Sequence, residues 1–122
     1  MDCPLDYSMC RDTVTLYRET QDSIYRKIYK NVCLQMQDKR TDTTQGPRFE
    51  RNFLLIVPGG GEIAPGDRVF LGEGPRLTKA AWHSWLPAQQ SRLCQVQYVQ
   101  DQYFMGKLCH TEAGRKDSAF FS

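Results

Sequence analysis

From Asp12 the chain alternates between apolar and polar positions. Val14 and Leu16 fall on one side and Thr13, Thr15 and Tyr17 on the other, which predicts a half-buried strand over Asp12–Arg18. Glu19–Ser23, ETQDS, is a polar turn. Alternation resumes at Ile24 and continues to Lys39. Ile24, Arg26, Ile28, Lys30, Val32, Leu34 and Met36 share one parity, against Tyr25, Lys27, Tyr29, Asn31, Cys33 and Gln35. Tyrosines and β-branched residues favour a strand here over a helix. Asn31 is the candidate position for a bend or bulge.

Thr41–Arg51, TDTTQGPRFER, carries no hydrophobic period and has Gly46-Pro47 at its centre. It is expected to be a long mobile loop of roughly ten residues. Phe53–Val57 is a continuous apolar run that suits a central strand, and Pro58 ends it because proline cannot donate to a ladder. Glycine-rich turns follow, then a strand over Arg68–Leu71. Leu77–Ala88 holds the helix candidate, with Thr78 as its cap and Pro87 as its limit. Leu93–Val99 alternates again. Asp101-Gln102 suits a tight connection, and Tyr103–His110 suits a last strand with Gly106 at a bulge. The pattern predicts a mainly β protein: a small antiparallel β-barrel or sandwich of six to seven strands, with one short helix and the long loop. It divides into an N-terminal arm (1–11), a β domain (12–112, loop 41–51) and a C-terminal tail (113–122).

A chain of 122 residues, 40% apolar and 25% charged, fits one modest core. A net charge of +2 gives little support for nucleic-acid binding as the main role. No apolar run approaches the roughly 20 residues that span a bilayer. The opening MDCPLDYSMC is acidic and broken by Pro4, unlike a signal peptide, so a cytoplasmic origin is the expectation. Five cysteines, an odd number, then argue against a disulfide framework. Cys33 and Cys94 read as small buried hydrophobes.

The glycine-rich stretch Phe53–Pro75 lies between strands, with no lysine or serine placed to hold a phosphate. Cys3, Cys10, Cys109 and His110 are zinc-ligand types, but their spacing is poor. Cys109 and His110 are adjacent in an extended segment, so they face opposite ways and cannot form a nucleophile–base pair. His83 with Cys94 or Cys33 is unconstrained. Glu62, Asp67 and Glu73 read as solvated turn residues rather than a carboxylate pair. Trp82 and Trp85 form either a lid over one end of the core or an aromatic contact patch. Arg26, Lys27, Lys30, Lys39, Arg40, Arg48 and Arg51 read as solvated surface, or as a loop reaching an acidic neighbour or DNA. Phe120-Phe121 is an apolar pair on a polar tail, suited to docking. No catalytic residue, metal or cofactor is expected from these residues.

DTVTLYR, YRKIYKNVCLQ, FLLIVPG, IAPGDRVFLGEGP, a Trp-containing turn, LCQVQYV and KLCHTEAG occur in that order. Taken together, the set resembles small structural proteins encoded by tailed phages and prophages of gut Firmicutes, described as minor capsid or head–tail junction proteins. The resemblance covers about Asp12–Gly114. It implies a non-enzymatic virion protein, made in the bacterial host cytoplasm, that assembles as a ring between portal and tail. Its partners would be further copies of itself and neighbouring portal, adaptor or tail proteins. DNA would pass through the ring without sequence-specific binding, and no membrane or small-molecule substrate would be involved. Carried onto this chain, the loop 41–51, with Thr44, Gln45, Gly46, Pro47 and Arg48 at its tip, would line or close the channel. The arm and the tail would pair with neighbours. A minor tail or capsid-decorating protein, a host-directed binding factor, and a small metal-binding or thiol-dependent enzyme module are the alternatives.

Overall fold

The computed structural model describes residues 6–116. Seven strands form around one short helix: β1 (Asp12–Glu19), β2 (Ile24–Thr43), β3 (Gly46–Pro58), β4 (Arg68–Leu71), α1 (Lys79–Trp82), β5 (Leu93–Gln95), β6 (Tyr98–Phe104) and β7 (Lys107–Arg115). They pair antiparallel in the order β5-β4-β1-β2-β3-β7-β6. The expected mainly β fold is present, and the sheet is open, with β5 and β6 at its two edges.

One long strand links the two halves. The first part of β2 pairs with β1, and from Cys33 onward it pairs with β3. The change of partner occurs at Asn31, whose φ is 59°, where the β1–β2 register shifts between Asp12 and Thr13. The bend expected at Asn31 is therefore a β-bulge, and a short polar side chain is the kind that tolerates this left-handed angle. The extra residue also overturns the single parity expected for Ile24–Met36. Tyr29 stands opposite Val14 on the core side, whereas Ile28 stands opposite Thr15 on the other side. After the bulge, Leu34 and Met36 lie opposite Leu55 and Phe53 and face the core. One inserted residue moves every later side chain to the other face.

The two halves of the sheet enclose a shared core. Val14 and Leu16 of β1, Val69 of β4 and Cys94 of β5 pack in one cluster with Phe53, Leu55 and Val57 of β3 and Ala113 of β7. A second cluster lies on the opposite face of β1, where Tyr17, Trp82, Trp85 and Leu93 are buried against Ile24, Phe70 and Leu77. β1 is thus covered on both faces, not half-buried. The Thr15 hydroxyl is satisfied by donating to the Gly72 carbonyl (2.7 Å) and accepting from the Gly74 amide (2.9 Å). Tyr17 donates its hydroxyl to the Pro75 carbonyl at 2.6 Å. The helix is one turn long, capped as expected by Thr78, whose hydroxyl accepts from the Ala81 amide.

The segment 41–51 is not a loop. β2 and β3 continue past the core and pair rung by rung out to Thr43–Gly46, with Thr44-Gln45 as the turn. Hydrophobic alternation reports apolar burial, and among the described residues the buried one of this hairpin segment is the charged Arg51. The connection between the last two strands also differs from expectation. Asp101 and Gln102 lie within β6, and the turn is Met105-Gly106, both at positive φ (52° and 81°), as in a type I′ hairpin. Leu93–Val99 divides between β5 and β6, and β7 runs on to Arg115, so the tail begins later than expected.

The cysteine reading is overturned. Cys10, in the irregular segment before β1, is bonded to Cys33 of β2. Cys109 is disulfide-bonded as well. Among the described residues only Cys94 is free, and it is buried as expected. Cysteine count by itself could not reveal this, because the bulge and the sheet order bring Cys10 and Cys33 together.

Candidate assembly surface

Past Met36–Phe53 the β2–β3 hairpin loses its flanking strands. β1 pairs with β2 only as far as Val32, and β7 pairs with β3 only from Phe53 to Pro58. Over seven rungs, Gln37–Asn52 to Thr43–Gly46, neither strand pairs with a third described strand. At about 3.4 Å per residue they reach roughly 24 Å beyond the sheet. Thr44, Gln45 and Pro47 are exposed at the tip, Gly46 is half-buried, and the backbone at Arg48 pairs with Thr41. The predicted loop-tip residues are thus brought together at the end of a two-stranded arm.

A free hairpin is marginal in water, and this one is fixed at its base. Arg51, 5% exposed, donates through Nε and Nη2 to the Asp38 carboxylate across the hairpin (2.6 and 3.2 Å). Its Nη1 donates to the carbonyls of Pro87, Gln90 and Leu93. The guanidinium group also lies 5.0 Å from the centre of the Phe49 ring. Arg51 was expected on the solvated surface; instead it joins the root of the hairpin to the segment between α1 and β5. The Arg51 guanidinium holds the Asp38 carboxyl below its ordinary value. An open hollow of about 500 Å³ lies beside this root, lined by Arg40, Phe49, Pro87 and Gln89 among others.

Trp82 and Trp85 are placed inside the chain, 6% and 9% exposed. Trp85 meets Tyr17 edge-on (4.7 Å between centroids) and stacks on Phe70 (5.6 Å). Buried Arg68 lies over the Trp82 ring at 3.7 Å and donates to the Trp82 and Trp85 carbonyls. The pair closes the second core as a lid. Phe120 and Phe121 lie outside the described residues.

The residues weighed for chemistry are dispersed. Asp67, expected to be solvated, is 3% exposed and receives two hydrogen bonds from Arg18 (2.9 and 2.7 Å) and one from the Ala64 amide. Glu62 and Glu73 remain exposed. Burial pushes the Cys94 thiol up to about 12, far from thiolate reactivity at neutral pH. Cys10 and Cys109 hold their sulfurs in disulfides, and among the described residues no group of three or more His, Cys, Asp or Glu side chains is placed to hold a metal ion. His110 is 4% exposed; its Nδ1 lies 2.7 Å from the Tyr7 hydroxyl and its Nε2 has no partner. Sequence reasoning missed this pair, and no local signal links residues so far apart in the chain. No helix of the described chain is long and apolar enough to cross a membrane. Comparison with family models, with curated proteins and with solved structures finds no match.

Proposed function

We propose that this chain is a non-enzymatic structural subunit of a phage virion, working by ring assembly at the head–tail junction. The observation that carries the reading is the projecting hairpin. Over seven rungs the two strands extend past their flanking strands, paired with each other in the ladder and anchored at the root by Arg51. Such an extension adds little to folding, since it buries little apolar surface, and it suits contact with a neighbouring subunit or the wall of a channel. Its charges nearly cancel: Lys39, Arg40, Arg48 and Arg51 stand against Asp38, Asp42 and Glu50, a net of +1. A nearly balanced arm offers DNA little electrostatic hold, which suits passage without binding. The edge strands add a second route to assembly. β6 is seven residues long and lies at the end of the sheet order, so among the described strands one side of its backbone is unpaired, as strand addition requires. A ring built this way joins unlike surfaces head to tail.

The test is co-expression with the products of the genes flanking its own, followed by native mass measurement and electron microscopy. A closed ring, alone or on a portal, supports the reading. A gene distant from portal and tail genes, or a chain that remains monomeric with every flanking product, overturns it. Location on the capsid shell would transfer the reading to a decorating protein.

A further inference from the structure

We propose that oxidation of Cys10 and Cys33 is a maturation step that clamps the segment 6–10 against β7, and that reducing surroundings release it. This rests on the covalent topology and stands independently of the assembly reading. The segment precedes β1 and belongs to no strand. Its backbone bonds are local: the Cys10 amide donates to the Tyr7 carbonyl, and the Ser8 amide to the Asp6 carboxylate. Two links run from it to the sheet among the described residues, the Cys10–Cys33 bond and the Tyr7–His110 contact. A single hydrogen bond between side chains contributes little net stability, so covalent linkage is what keeps Tyr7 over His110: the Cys10–Cys33 bond on the side of the segment, beside the disulfide of Cys109 on the β7 side. With Tyr7 gone, the His110 ring would lose its only described partner.

The chemistry needs an oxidant, which we assign to a small-molecule disulfide. A Cys10 thiolate attacks it, forming a mixed disulfide and expelling one small thiol. The Cys33 thiolate then displaces the second small thiol and closes the Cys10–Cys33 bond. Two protein protons leave, and the small disulfide takes up the two electrons as two thiols. A reducing cytoplasm opposes this step and an oxidising exterior favours it. Cys94 does not compete, because it is fully buried in the core.

The experiment uses the whole chain, oxidised and after mild reduction, with Tyr7→Phe and Cys10→Ser variants. Alkylation with mass mapping reads the thiols, the His110 ring resonances read the Tyr7 contact, and amide exchange reads the sheet. Reduction should make Cys10, Cys33 and Cys109 alkylatable while Cys94 stays unlabelled. The His110 resonances should move to the positions seen in Tyr7→Phe, and exchange in β1–β3 should change less than about threefold. Cys10→Ser keeps the disulfide of Cys109, so a shift of its His110 resonances toward the Tyr7→Phe positions assigns the clamp to the Cys10–Cys33 bond, and no shift overturns it. The proposal is overturned by unchanged His110 resonances on reduction, by free Cys10 and Cys33 in protein isolated under air, or by loss of β1–β3 protection on reduction. The last result would make the bridge a condition of folding rather than a clamp.

Discussion

Arg51 meets three backbone carbonyls of one segment and a carboxylate on the facing strand. Its partners differ in burial, and so should the cost of losing each. Arg51→Met leaves the buried Leu93 carbonyl without this donor, at about 1–3 kcal/mol, and the part-buried Pro87 and Gln90 carbonyls, which water can reach, at less. A total loss of about 2–4 kcal/mol in urea unfolding is expected. Asp38 is 52% exposed, so water replaces its bond to Arg51, and Asp38→Asn should cost under about 1 kcal/mol. The Asp38 carboxyl is held below its ordinary value, so its contribution is present above about pH 4 and is lost as pH falls through the lowered folded value. Wild-type stability should therefore fall more steeply on acidification than that of Asp38→Asn, and identical slopes would refute the linkage. Asn31 makes a sharper test of backbone geometry. At φ 59°, Asn31→Gly should be nearly neutral, whereas Asn31→Val should cost about 1–2 kcal/mol. Equal melting temperatures for the two variants would count against a fixed bulge.

At the scale of elements, β2 shows how a correct strand assignment can still misplace its side chains. Its length was legible from alternation and from its tyrosines. Its facing was not, because the bulge at Asn31 inserts one residue and exchanges the faces. The hairpin beyond Asp38–Arg51 was illegible for a different reason. Its ladder is backbone pairing, and backbone groups are the same in every sequence. Replacing Lys39–Glu50 with Asn-Gly would join Asp38 to Arg51 through a two-residue turn. Since no core residue is removed, thermal unfolding should shift by no more than about 3 °C while assembly with neighbours is lost. A large drop in stability would show that the arm packs on its own domain. The Thr78 cap was readable from its place before the helical turn, whereas the sequence left Trp82 and Trp85 open between a lid and a contact patch, and their burial against Tyr17 and Phe70 decides for the lid.

At the scale of the whole molecule, the two halves of the sheet are not separate units. Val14, Leu16 and Val69 share a cluster with Phe53, Leu55 and Ala113, across β1, β3, β4 and β7. Leu55→Ala should therefore cost about 2–5 kcal/mol and still give one cooperative transition, with calorimetric and van't Hoff enthalpies equal. Two transitions would mean that β1/β4/β5 folds apart from β3/β6/β7.

Sequence alone determined the β class, the position of most strands, the capped helical turn and the special role of Asn31. Each of these is set by near neighbours: side-chain alternation, proline, a capping hydroxyl, a residue tolerant of positive φ. Tertiary structure decided which cysteines meet, which arginines and which aspartate are buried, and which way β2 faces after its bulge. It also decided that 41–51 stands as a hairpin. Those outcomes depend on strand order and register, which bring together groups tens of residues apart, and no local pattern encodes that meeting.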